Sequence, residues 1–278
     1  MKNFVLNKDS ELSLCINDLN ASYGKNIILS NCNLQLKKSV FYCLCGPNGS
    51  GKSTLLSILA SVNDDALKVF DCNNKKNEPY FQTKEKITLS KFSKKQLATL
   101  ISFLQQDEYS VWDFCVKDYV LQGRFCHTQN GSYSQEDKMK AFNAMNELGI
   151  TSLSEKSVHC LSGGEFQKVK IARSLCQGTP FILLDEPSSS LDFVYEAKLL
   201  EKLKDICHKK NKAILVSIHD INLALRYCDQ LCLLKKGDGL ICGKPTLSFV
   251  EKNIPKLYES ECSVYEHPIF HCPQIFSL

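Results

Sequence analysis

Nine residues, Gly46-Pro47-Asn48-Gly49-Ser50-Gly51-Lys52-Ser53-Thr54, restrict what this chain can fold into more than any other feature. They satisfy G-x-x-x-x-G-K-[ST] between an apolar run, Val40–Cys45, and a helical stretch over 52–61, the strand–loop–helix order that a phosphate-cradling loop requires. The glycines let backbone N–H groups curl around phosphate oxygens, and the helix N-terminus adds the positive end of its dipole. Lys52 reaches the β/γ-phosphates and the Ser53 hydroxyl is placed to ligate Mg²⁺.

Two further segments complete a nucleotide chemistry. Phe181–Leu184 is an apolar strand ending in Asp185 and Glu186. Asp185 can hold Mg²⁺ through water, and Glu186 can align and polarise a water attacking the γ-phosphorus in line. Leu161-Ser162-Gly163-Gly164-Glu165 precedes a helical run and predicts a second anion-binding helix N-terminus. One nucleotide cannot readily use both loops of one chain, so two chains are expected to face head to tail, each nucleotide held between Gly46–Thr54 of one and Ser162–Gly164 of the other.

Around these motifs strand-like and helical runs alternate, which points to an α/β fold with parallel strands. The segments 181–184 and 213–218 read as buried strands joined by a crossover helix over 194–209, with Leu199, Leu200, Leu203, Ile206 and Cys207 on one face. Residues 136–148 place Met139, Phe142, Met145 and Leu148 on one stripe and read as part of an inserted helical lobe stopped at Gly149. The polar, Lys-rich stretch 71–95 is expected to loop over the surface, with a turn at 73–77.

Thirty-four Lys+Arg against 30 Asp+Glu leave a net charge of +4, too small to argue for nucleic acid. No apolar run approaches the roughly 18 residues of a membrane span, and residues 1–13 lack the apolar stretch of a secretory signal. The 15 cysteines are odd in number, so complete internal pairing is ruled out, and most of them read as small buried reduced residues. Near the C-terminus Cys262, His267, His271 and Cys272 are zinc-type donors, but their spacing matches no standard site and a packed or frayed terminus is expected.

The ordered motifs GPNGSGKST, LSGGE, FILLDEP, Ser190-Leu191-Asp192 and Ser217-Ile218-His219-Asp220 resemble the ATP-binding subunit of an ABC transporter. The resemblance implies an ABC-type P-loop ATPase with an antiparallel β subdomain and a helical subdomain at about 107–172, in a cassette over 1–245 followed by a tail over 246–278. It implies that Tyr23 stacks on adenine, that Gln106 contacts Mg²⁺ and water, that Asp192 is the D-loop acid and that His219 faces the γ-phosphate. Gln105 stands where the family has proline, so the glutamine role is open between Gln105 and Gln106. Ser39 replaces a common glycine, and Phe166 with Lys168 replaces a usual basic pair.

Val116-Lys117-Asp118-Tyr119-Val120-Leu121-Gln122-Gly123-Arg124, with Tyr227-Cys228-Asp229 and Gly243-Lys244-Pro245, is similar to importers of iron–siderophore, haem and cobalamin. Zinc and manganese importers have similar stretches, and soluble ABC ATPases share the core motifs. The implied cofactors are ATP and Mg²⁺. The implied partners are a second copy, integral-membrane permease subunits and, indirectly, an extracytoplasmic substrate-binding protein, with the chain peripheral on the cytoplasmic face of the cell membrane and no nucleic-acid partner.

Overall fold

A computed structural model describes residues 12–277 except 63–65, 72, 74, 107–109 and 111. The readings for residues 1–11 and for the first residues of the helical lobe therefore lie outside the described residues. Strands β1 (Ser13–Tyr23) and β2 (Asn26–Lys37) form a hairpin, and β3 (Val40–Cys45) leads through the phosphate loop into α1 (Lys52–Leu59). Next come β4 (Leu67–Phe70), β5 (Tyr80–Gln82), β6 (Lys86–Thr88), α2 (Lys94–Ala98) and β7 (Ile101–Leu104). The helical lobe holds α3 (Val116–Leu121), α4 (Gln135–Glu147) and α5 (Gly163–Cys176), the last running past the expected limit at 172. The chain continues through β8 (Phe181–Leu184), α6 (Phe193–Lys209), β9 (Ala213–Ser217), α7 (Ile221–Tyr227), β10 (Gln230–Lys235) and β11 (Gly239–Gly243). It closes with α8 (Leu247–Tyr258), β12 (Cys262–Glu266) and β13 (Pro273–Ser277).

A six-stranded sheet in the order β11-β10-β3-β9-β8-β7 forms the centre, parallel except for β11. Its central strands are buried on both faces, which is why they read as unbroken apolar runs. Because β3, β8 and β9 are neighbours, their C-terminal ends, with Gly46 and Asp185 in the loops that follow and Ser217 closing β9, meet at one edge. An antiparallel sheet of β2, β1, β5 and β6, with β4 also on β1, packs beside it.

Two expectations fail. The stretch 71–95 is not a surface loop: Tyr80, Phe81, Ile87, Leu89 and Phe92 are buried, and the Phe81 ring lies 5.5 Å from Phe92 and 5.7 Å from Phe181. These residues of 71–95 lie on two three-residue strands and the turn that follows, pieces too short to carry a period-2 signal. On α4 the stripe is turned: Asp137, Ala141, Ala144 and Met145 are buried, while Met139 and Phe142 are more than half exposed. Asp137 caps the helix through Ser134 and pairs with Arg124 at 2.9 Å, and that ion pair with the small alanines sets the face presented to α3 and α5.

The C-terminus is packed rather than frayed. Strands β12 and β13 form a hairpin, with β12 on α8 and β13 on α7. The Asn222 amide exchanges hydrogen bonds with the Ile275 carbonyl (3.1 Å) and N–H (2.8 Å), fastening the hairpin edge to α7. Among the described residues no group of three or more His, Cys, Asp or Glu is placed to hold a metal, and no helix is long and apolar enough to cross a membrane.

Candidate functional site

The phosphate loop is shaped by what cannot fit in it. A side chain at Gly46 would overlap the Leu234 carbonyl, Gly49 has φ +74°, and Gly51 has φ +100° with Ile28 and Leu29 against its Cα. Pro47 and Asn48 make the outer bend, which Ser50 N–H closes by donating to the Pro47 carbonyl at 3.1 Å. Gly51 caps α1 without a side-chain hydrogen bond, so the first N–H groups, from Lys52, Ser53 and Thr54, are available to an anion. Lys52 is buried, its Nζ donating to the Gly46 carbonyl at 2.8 Å and the Pro47 carbonyl at 3.3 Å. Ser50 Oγ is buried with no protein partner, an uncompensated polar atom inside a loop otherwise suited to phosphate.

Beside the loop, a cleft of about 340 Å³ is lined by Tyr23, Ser53, Thr54, Gln105, Gln106 and Asp185, among others. Glu186 adjoins it in the left-handed backbone region, φ +47°, rare for a side-chain-bearing residue. Its carboxylate is engaged on both oxygens: Gln106 Nε2 donates to Oε2 at 2.7 Å, and His219 Nε2 stands 2.5 Å from Oε1. Gln106, not Gln105, therefore reaches Glu186; Gln105 only lines the cleft.

Sequence reasoning named Ser217 only as the first residue of the Ser217–Asp220 motif and gave it no role. It is fully buried at the end of β9, donates to Asp185 Oδ1 at 2.6 Å and accepts from the Glu186 N–H at 2.8 Å. One hydroxyl thus holds the Asp185 carboxylate and the unusual backbone of Glu186 together. The signal was a serine at the end of an otherwise apolar strand, one position beyond the Leu184–Val216 pair.

Leu161–Glu165 and Asp192 lie outside the cleft and beside each other. Ser162 caps α5 by accepting from Glu165 N–H, while Glu165 Oε2 accepts from the Ser162 N–H and hydroxyl, each at 2.9 Å. Those bonds hold the Glu165 carboxyl below the usual carboxylate range. Leu161 packs on the core, and Gly163 and Gly164 lie against Ser190 and Leu191. Asp192 Oδ1 caps α6 through the Val194 and Tyr195 N–H groups, both at 3.1 Å. One chain therefore presents two separate helix N-termini, that of α1 without a side-chain cap and that of α5 closed by the Ser162–Glu165 capping box.

A family described as ABC transporter matches residues 29–189. The petrobactin import ATP-binding protein FpuD of Bacillus anthracis is 31% identical, covering 92% of this chain and 89% of the relative. The ferric enterobactin transport ATP-binding protein FepC of Escherichia coli K12 is 30% identical, covering 94% and 92%. A solved inward-facing transporter described as of metal-chelate type shares the fold, with TM-score 0.78 at 23% identity over 96% of this chain and 98% of the other.

Proposed function

The chain belongs to the ABC transporter family of ATP-binding proteins, and from that premise we propose that it is the ATP-hydrolysing subunit of an importer for an iron chelate, haem or cobalamin. The relatives named for petrobactin and ferric enterobactin support this cargo class. The observation that carries the catalytic reading is the convergence of Gln106, Asp185, Glu186 and His219 beside the phosphate loop.

In this reading the free N–H groups of the phosphate loop Gly46–Thr54, those of Lys52, Ser53 and Thr54 among them, and the Lys52 ammonium bind the β- and γ-phosphates of ATP, and Tyr23 stacks on adenine. Glu186 accepts the proton of the attacking water, and Gln106 and His219 orient its carboxylate. Ser53, Gln106 and Asp185 would hold Mg²⁺; a hydroxyl, an amide oxygen and a carboxylate suit that hard cation, which neutralises charge on the phosphate oxygens. Gln106 spends its Nε2 on Glu186 and keeps Oε1 for such a contact.

Leu161–Glu165 and Asp192 of a second copy complete each site from the opposite side. ATP closes the head-to-tail pair and hydrolysis reopens it. Residues 1–245 are the cassette, with its helical lobe at about 107–172 facing permease subunits; 246–278 are an added tail. The chain sits peripherally on the cytoplasmic face of the membrane and serves an extracytoplasmic binding protein through the permease. Glu186→Gln is the test: steady-state phosphate release should fall roughly 100-fold or more while ATP binding persists. Unchanged turnover would remove Glu186 from the base role.

A further inference from the structure

The cysteines are the compositional feature that ATP hydrolysis leaves unused. Among the described residues they are all free thiols, and more than half are buried. Cys232 on β10 and Cys242 on β11 stand apart because they are direct cross-strand partners, with the Cys242 thiol donating to Cys232 Sγ across 3.2 Å. Facing residues of antiparallel strands have Cα atoms roughly 4.5 to 5.5 Å apart, within the span of a disulfide. The sulfurs need close by only about one ångström to reach bonding distance.

Access is divided between the two. Cys242 is exposed, whereas Cys232 is fully buried. Its contact with Cys242, together with burial, pushes the Cys232 thiol up. A third thiol, Cys32 on β2, is buried and donates to the Ser30 carbonyl at 3.5 Å instead.

We propose that Cys242 and Cys232 are a thiol-oxidation site, the attacking and resolving cysteines of a reversible disulfide between β10 and β11. The oxidant is a low-molecular-weight disulfide. The Cys242 thiolate attacks one of its sulfurs, forming a mixed disulfide as one small thiolate leaves. Cys232 then gives up its proton and attacks the Cys242 sulfur, and the second small thiolate leaves. The protein loses two S–H hydrogens, the small disulfide becomes two thiols, and excess small thiol runs the sequence backward. Cys232 is in register with Leu44 of β3, and the Leu234 carbonyl two residues on backs Gly46. The bond therefore ties the sheet's edge strand to the strand that backs the phosphate loop.

The site stands independently of the proposed function. The test incubates the reduced full-length chain with oxidised glutathione, quenches it by alkylation and maps the peptides by mass spectrometry. A Cys232–Cys242 crosslink without retained glutathione, reversed by reduced glutathione, is expected. In Cys232→Ser, a stable glutathione adduct should accumulate on Cys242. A crosslink between Cys242 and Cys32, a persistent adduct on Cys242 of the unaltered chain, or no change at either cysteine overturns the assignment. The map of the unaltered chain decides the question even if Cys232→Ser fails to fold.

Discussion

Ser217 joins the two acids of the site, since its single hydroxyl bonds both the Asp185 carboxylate and the Glu186 backbone. Removing it frees Asp185 to rotate and leaves a left-handed Glu186 without its restraint. Ser217→Ala should therefore lower kcat roughly 10- to 100-fold, the usual loss when the support of a cation-binding carboxylate is removed, with little change in KM. Steady-state ATPase kinetics separate the two parameters, and a loss confined to KM would assign Ser217 to binding. Lys52 behaves oppositely. Lys52→Ala deletes a buried ammonium aimed at the loop carbonyls, and a fluorescent-nucleotide titration should show affinity falling roughly 10- to 100-fold, the worth of one charge-assisted hydrogen bond. The phosphate loop and the Asp185-Glu186 pair were legible in the sequence because each is contiguous. Ser217 was not, because its role comes from strand register, and the choice between Gln105 and Gln106 required seeing which side chain reaches Glu186.

The helical lobe is held by a short segment whose sequence gave only a resemblance. A side chain at Gly123 would overlap the Arg173 carbonyl of α5, so the segment after α3 can approach α5 only with glycine there. Arg124, buried, donates to Asp137 and to the carbonyls of Cys176 and Gln177 at 3.2 and 3.0 Å, joining α4 to the end of α5. Arg124→Ala should cost about 3–5 kcal/mol in chemical denaturation, because it strands a buried carboxylate. Burial alone would raise the Asp137 pKa, but Arg124 and Ser134 outweigh it and hold the carboxyl at about 2. With the folded pKa depressed, this contribution is complete above about pH 4 and is lost as pH falls toward 2, a slope that Arg124→Ala should flatten in acid denaturation. The apolar stripe of α4 misled for the same reason: an ion pair and two alanines, rather than the largest side chains, decide which face is buried.

At the scale of the molecule, the chain offers a phosphate loop and acids at one cleft and, outside that cleft, the Ser162 helix end near Asp192. Their separation was inferable from the sequence, since one nucleotide cannot serve both. The terminal hairpin was not, because its strands are short and its anchor, Asn222, lies on a helix some fifty residues earlier. The proposed sharing of each nucleotide between two copies makes a direct demand on assembly. Glu186→Gln should bind ATP without consuming it and so hold the closed pair, and Ser162→Arg, blocking the opposing helix end, should abolish that pair with the phosphate loop intact. Sedimentation velocity of Glu186→Gln with and without saturating ATP is the direct measurement. The mass should double with ATP and return to that of one chain when Ser162→Arg is added to the same variant; a Glu186→Gln chain that stays monomeric at saturating ATP would contradict a nucleotide shared between two copies.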